Sequence, residues 1–101
     1  MAKKAKVKTI PFDAAEFLTT PEHLAEYLRA AIEEAVAGDP ESLIRALNTA
    51  ARARGMIELA NSTGITRSGL YKALSGEGKP SFETVSKIVA ALGMRFSIEA
   101  R

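Results

Sequence analysis

The sequence contains no cysteine, so neither a disulfide nor a thiolate metal site can hold it together. It must rely on packing alone, as chains of a reducing cytosol do. Tryptophan is absent too, and there is a single histidine, His23. With no cysteine or second histidine to join it, His23 is expected to be a surface or capping residue, and neither a metal nor any other cofactor is expected. Glu33 and Glu34 are adjacent and point in different directions on a helix, so they form no acid–base dyad. No glycine-rich phosphate loop follows a strand. These absences exclude the usual enzyme classes. No apolar run approaches the roughly 20 residues of a membrane span. The lysines near the N-terminus are not followed by the hydrophobic segment of a secretory signal. The expected setting is therefore cytoplasmic, with no membrane partner.

What is present fits one globular domain over residues 1–101, with 47% apolar and 26% charged residues. The net charge is only +2, but it is unevenly spread. Residues 1–11 carry four lysines and no acid, a net of +4; residues 1–5 read as a flexible basic tail. Residues 12–42 carry eight acids against Arg29, a net of −7. Residues 43–101 carry nine basic and four acidic residues, a net of +5. An acidic first part and a basic remainder suggest two surfaces with different partners, although a solvated helix face gives the same pattern.

Start and stop signals divide the chain into five helices. Thr20 is suited to cap the first, Pro21 to open it, Glu22 to favour its positive end and Gly38 to mark its exit. Leu24, Tyr27, Leu28, Ala31, Ile32, Ala35 and Val36 recur on one face. The second helix repeats the signals, with Asp39 as cap, Pro40 at the opening, Leu43, Leu47, Ala50 and Ala51 facing inward, and Gly55 closing it. Arg45, Arg52 and Arg54 fall outside that stripe or near the end. After a loop from Ser75 to Pro80, Ser81 caps a last helix whose inward face is Phe82, Val85, Ile88, Val89 and Leu92, with Gly93 at its end.

Both ends of the chain read as short strands. Met94, Phe96, Ile98 and Ala100 alternate with polar residues at the period of two. Lys6–Phe12, with Val7, Thr9 and Ile10 before Pro11, is the weaker case. A lone strand needs a partner: the other terminus, a second copy, or another protein.

Residues 56–74 hold the most informative pattern. Leu59 and Ala60 supply an inward face, Gly64 accepts the left-handed turn, and Ile65 tucks beneath it. Thr66 caps a second short helix whose buried face is Leu70, Ala73 and Leu74. Two short helices joined in this way form a helix-turn-helix. The second exposes Thr66, Arg67, Ser68, Tyr71 and Lys72, all hydrogen-bond donors and none acidic.

A helix of this kind fits the major groove of double-stranded DNA. Arg67 suits a bidentate contact to guanine, and Lys72 suits guanine or a phosphate. Thr66, the hydroxyl of Tyr71 and Lys79 in the following loop are placed for phosphate. The ring of Tyr71 has packing against the core as its alternative. Gly69, within this helix, costs about 1 kcal/mol relative to alanine; it either allows close approach to DNA or is merely tolerated.

With these residues laid out, the chain resembles addiction-module antidote proteins, HigA-like antitoxins of the Xre/Cro-like helix-turn-helix group. The resemblance spans nearly the whole length. It is carried by Ile10-Pro11-Phe12-Asp13, Tyr27-Leu28, Ala46-Leu47, Ala51 to Met56, Leu59-Ala60, Gly64 to Arg67, Leu70 to Leu74, Pro80 to Thr84, and Ala91-Leu92-Gly93. It implies a mainly α fold of five helices with short terminal β-strands. It also implies an antitoxin that neutralises a small basic toxin of the RelE/ParE type and, as a homodimer, represses their shared operon. Carried over by position, Arg67, Ser68 and Lys72 read bases, with Thr66 and Tyr71 near the backbone. Lys79 departs from the family, where asparagine is common before the proline, and Ile57 stands where a polar phosphate contact is common. The competing readings are a stand-alone phage-type repressor and a protein-interaction module without specific DNA binding.

Overall fold

The computed structural model describes residues 18–100, which form five α-helices. They are α1 (Pro21–Ala37), α2 (Glu41–Arg54), α3 (Met56–Thr63), α4 (Arg67–Leu74) and α5 (Phe82–Ala91). The expected start signals act where a hydroxyl side chain supplies them. Thr20 Oγ1 accepts from the His23 amide at 3.1 Å, Thr66 Oγ1 from Gly69 at 3.0 Å and Ser81 Oγ from Thr84 at 3.1 Å. Each bond satisfies one of the amides that a helix start leaves unpaired, an effect of about 1 kcal/mol.

Helix α2 is the hub. Its longest contact is with α1, and it also packs against α3 and α4, while α3 touches α5. Small residues make this possible: Ala46, Ala50 and Ala51 are buried and let neighbouring backbones approach. Around them Leu47, Leu59, Leu70, Ile88 and Leu92 are almost wholly enclosed, at 0–1% exposure. Each such side chain contributes about 1.5–3 kcal/mol of transfer free energy. The same enclosure fixes how α4 is rotated. Leu70, Ala73 and Leu74 face inward, so its opposite face stays in solvent.

The termination of α5 brings in a residue from far along the chain. Gly93 adopts φ +81°, its amide bonds to Ala90 O at 3.0 Å, and the Met94 amide returns to Val89 O at 3.1 Å. This is the Schellman arrangement of a helix end. The last two carbonyls, Ala91 O and Leu92 O, accept from the guanidinium of Arg54 at 2.9 and 3.1 Å. The end of α2 thus caps the end of α5.

Several expectations are corrected. Asp39 does not cap α2. Pro40 sits at the cap position with helical dihedrals and no side-chain bond, and the Asp39 carboxylate instead meets Arg45 at 2.6 Å. A cap needs extended backbone at the residue before the helix, and Pro40 at φ −61°, ψ −22° already lies in the helical region. The connection is held differently: Ser42, buried at 5% exposure, donates to Glu34 Oε1 at 2.6 Å, and the Asp39 amide bonds to Glu34 O at 3.0 Å.

Val36 and Phe82 were expected inward and are 70% and 73% exposed. They occupy the last turn of α1 and the first residue of α5, where the helices run past the core. The Phe82 ring stacks on Phe96 instead, with centroids 5.8 Å apart. Finally, no strand is present among the described residues, so residues 94–100 form no β-ladder with any of them. A ladder needs a second strand for its amides and carbonyls, and none lies beside this segment among the described residues. The basic tail 1–5, the strand expected at Lys6–Phe12 and the Ile10–Asp13 part of the resemblance lie outside the described residues.

Candidate nucleic-acid interface

The turn between α3 and α4 is stitched together by its own side chains. The Thr63 hydroxyl donates to Leu59 O at 2.7 Å and accepts from the Ile65 amide at 3.1 Å. Gly64, at φ +78°, bonds to Ala60 O at 3.0 Å. Ile65 is half-buried against the core, as its position after the glycine led one to expect. A turn bonded at each step holds α4 at a fixed attitude to α3, and pre-organisation of this kind lowers the entropic cost of binding.

The solvent face of α4 carries five of the six singled-out residues. Thr66, Arg67, Ser68, Tyr71 and Lys72 are all exposed. The Thr66 and Ser68 hydroxyls lie 3.4 Å apart at the start of the helix. Tyr71, whose ring was left undecided between core and surface, is 56% exposed. Arg67 and Tyr71, one turn apart, line the same open depression, whose other walls include Arg54, Met56, Ile57 and Asn61. Ile57, 60% exposed, gives that rim an apolar spot at the position already noted as a departure from the resembled group. Lys72 stands at the other end of α4, under Gly78, and Lys79 follows on the loop.

The loop geometry accounts for residues the sequence left ambiguous. Gly69 is half-buried, and a Cβ there would lie 3.0 Å from Ile65 Cγ2 and 3.1 Å from Thr66 Oγ1. The glycine therefore makes room for the cap and turn of its own helix; its tolerance has an internal packing reason. A Cβ on Gly78 would lie 2.8 Å from Lys72 O, inside contact distance with backbone. This close approach places the loop against the C-terminus of α4. Ser75 closes the same end, its hydroxyl donating to Lys72 O at 2.8 Å and accepting from the Glu77 amide at 3.2 Å. Lys79 is held at φ +44°, a region in which asparagine is far more at ease than lysine.

Sequence reasoning missed Asn61 and the arginine pair at the end of α2 as neighbours of Arg67. Ile57 and Asn61 are four residues apart on α3, so the helical period alone would have put them on one face. That this face adjoins Arg67 is a tertiary fact. His23 is exposed in the first turn of α1, and the described residues contain no group of three or more histidine or acidic side chains placed to hold a metal. No helix among them is long and apolar enough to cross a membrane.

The family model of the probable addiction module antidote protein matches residues 8–100. An uncharacterized protein of Haemophilus influenzae is 44% identical over 88 residues, covering 87% of this chain and 88% of its own length. No solved structure matches.

Proposed function

The chain belongs to the probable addiction module antidote family, and from that premise we propose that it is a DNA-binding antitoxin that represses its own operon. An antidote implies a toxin partner; the finer parts of this reading are a toxin of the RelE/ParE type, a homodimer, and α3–α4 acting as a helix-turn-helix. The observation that carries the DNA part is the outward face of α4, where Thr66, Arg67, Ser68, Tyr71 and Lys72 are exposed on a helix whose other face is locked in the core. In this reading Arg67, Ser68 and Lys72 contact base edges, and Thr66, Tyr71 and Lys79 contact phosphates. A two-fold dimer sets its recognition helices roughly 34 Å apart and asks for a palindromic operator.

The experiment is binding of the purified chain to the DNA upstream of its own gene, at moderate salt, against a scrambled duplex. A clear preference for the upstream DNA is expected, and Arg67→Ala should cost about 1–3 kcal/mol at one base pair while leaving non-specific affinity nearly intact. Equal binding to both duplexes overturns the DNA reading.

For the toxin surface we propose α1, whose exposed Glu22, Glu26 and Glu33 suit a basic partner. Glu34 is engaged by Ser42, so the informative charge reversals are at Glu26 and Glu33 alone. A toxin complex that survives Glu26→Lys with Glu33→Lys at full affinity would count against this surface.

A further inference from the structure

The described residues with large exposed apolar side chains fall into two groups. Ile57 and Tyr71 border the candidate DNA-binding face; Val36, Phe82, Phe96 and Ile98 gather around residues 94–100. Ile98 is 98% exposed. Val36, Phe96 and Ile98 line one groove against α1 together with Leu28 and Ile32, and Phe82 joins through its stack on Phe96. Patches of this kind mark interaction surfaces. The segment leaves α5 at a fixed point, since Gly93, the Met94 amide and Arg54 cap that helix completely. Met94 then anchors it by packing against the core.

The order of side chains along this segment says what covers it. Its sequence is Met94-Arg95-Phe96-Ser97-Ile98-Glu99-Ala100. Laid antiparallel on a second copy of itself about Ser97, it sets Arg95 opposite Glu99 and Glu99 opposite Arg95. Phe96 then faces Ile98, Met94 faces Ala100, and Ser97 meets its own image. In an antiparallel pair, residues directly opposite share a face, and both opposite charges and aromatic–β-branched pairs are favourable there. Every pair in this register is matched, apolar on one face and charged or polar on the other. A shift by one residue brings apolar side chains opposite charged ones, and a shift by two keeps the faces but separates Arg95 from Glu99, so the register about Ser97 alone keeps both kinds of pair.

We propose that residues 94–100 of two copies join as an antiparallel pair centred on Ser97, covering Phe96, Phe82 and Ile98 and forming the dimer interface of this protein. The proposal rests on the homodimer in the reading above and gives that dimer a surface and a register. A segment with no ladder partner among the described residues finds one in the second copy. The two-fold axis at Ser97 also makes the interface isologous, as a closed dimer requires.

Because the chain has no cysteine, Ser97→Cys introduces a single thiol, and residues facing each other across an antiparallel pair lie within disulfide reach. Mild oxidation at low micromolar concentration should convert Ser97→Cys quantitatively to a covalent dimer, whereas Ser62→Cys on α3 should form no covalent dimer. In sedimentation without DNA, Arg95→Glu or Glu99→Arg should each weaken the dimer about tenfold, and the double exchange should restore it to within about threefold.

A wild-type chain that stays monomeric, a Ser97→Cys variant that does not cross-link, or a double exchange as weak as the single ones would each overturn the proposal. These last results include the case in which another protein, or another part of the same chain, occupies the segment. Failure here is separable from failure of the operon reading. A monomer that still prefers its upstream DNA sinks only the interface, and a cross-linked dimer with no DNA preference sinks only the DNA reading.

Discussion

Replacing Arg54 with alanine tests the link between the two ends of the bundle. The guanidinium donates to Ala91 O at 2.9 Å and to Leu92 O at 3.1 Å, the last carbonyls of α5 that the chain's own amides do not reach. Hydrogen bonds from a charged donor are worth about 1.5–3 kcal/mol when enclosed, but one of these is exposed and the other only partly buried. About 1 kcal/mol for each is the reasonable scale, with a few tenths more from a cation at the negative end of a helix. Arg54→Ala should therefore cost about 2 kcal/mol, which in a domain of this size lowers Tm by roughly 10 °C. Arg54→Lys keeps the charge but loses the fork, so it should recover about half. The assay is urea or thermal unfolding followed by far-ultraviolet circular dichroism, since there is no tryptophan to report. Arg54 also borders the depression beside Arg67, so DNA affinity must be measured alongside. A variant within 0.5 kcal/mol of the parent in stability would refute the capping argument, and a loss confined to DNA binding would reassign Arg54 to that surface.

Three other perturbations follow from the geometry. Gly78→Ala, in the loop after α4, should cost about 1–3 kcal/mol in urea unfolding, because its Cβ would press on Lys72 O at 2.8 Å. Thr66→Ala should lower stability by about 1 kcal/mol through the lost cap, and Thr66→Ser should restore it. If Thr66→Ser restores stability but DNA affinity stays low, the methyl group matters to the complex; equal recovery of both assigns Thr66 to the cap. Lys79→Asn should raise stability by about 0.5 kcal/mol by relieving the φ +44° backbone, while weakening binding to every DNA sequence alike. A stability loss at this position would show that lysine makes a contact worth more than its strain.

In the proposed DNA-binding reading, function and stability are set against each other at Lys79, whereas at Gly69 they are not. There the absence of a side chain serves the Thr66 cap and the Ile65 contact, and so serves the attitude of the exposed face of α4. The acidic α1 and the apolar segment after Gly93 lie away from α4 in sequence and carry the two protein–protein roles proposed above.

The sequence by itself determined whatever depends on residues within about four positions of one another. The caps at Thr20, Thr66 and Ser81, the left-handed stops at Gly64 and Gly93, and the outward face of α4 are all local bonds or helical periodicity, and all were legible. The period-two alternation of residues 94–100 was legible as well, but not what it pairs with. Only the tertiary structure decided the rest. Arg54 reaches carbonyls 37 and 38 residues away, Phe82 finds Phe96 rather than the core, and Gly78 rests on the backbone of Lys72. Asp39 could equally have capped a helix or paired with Arg45, and the dihedrals of Pro40 chose the pair. Local free energies are similar for such alternatives, so the arrangement that buries Leu47, Leu59, Leu70, Ile88 and Leu92 together selects among them.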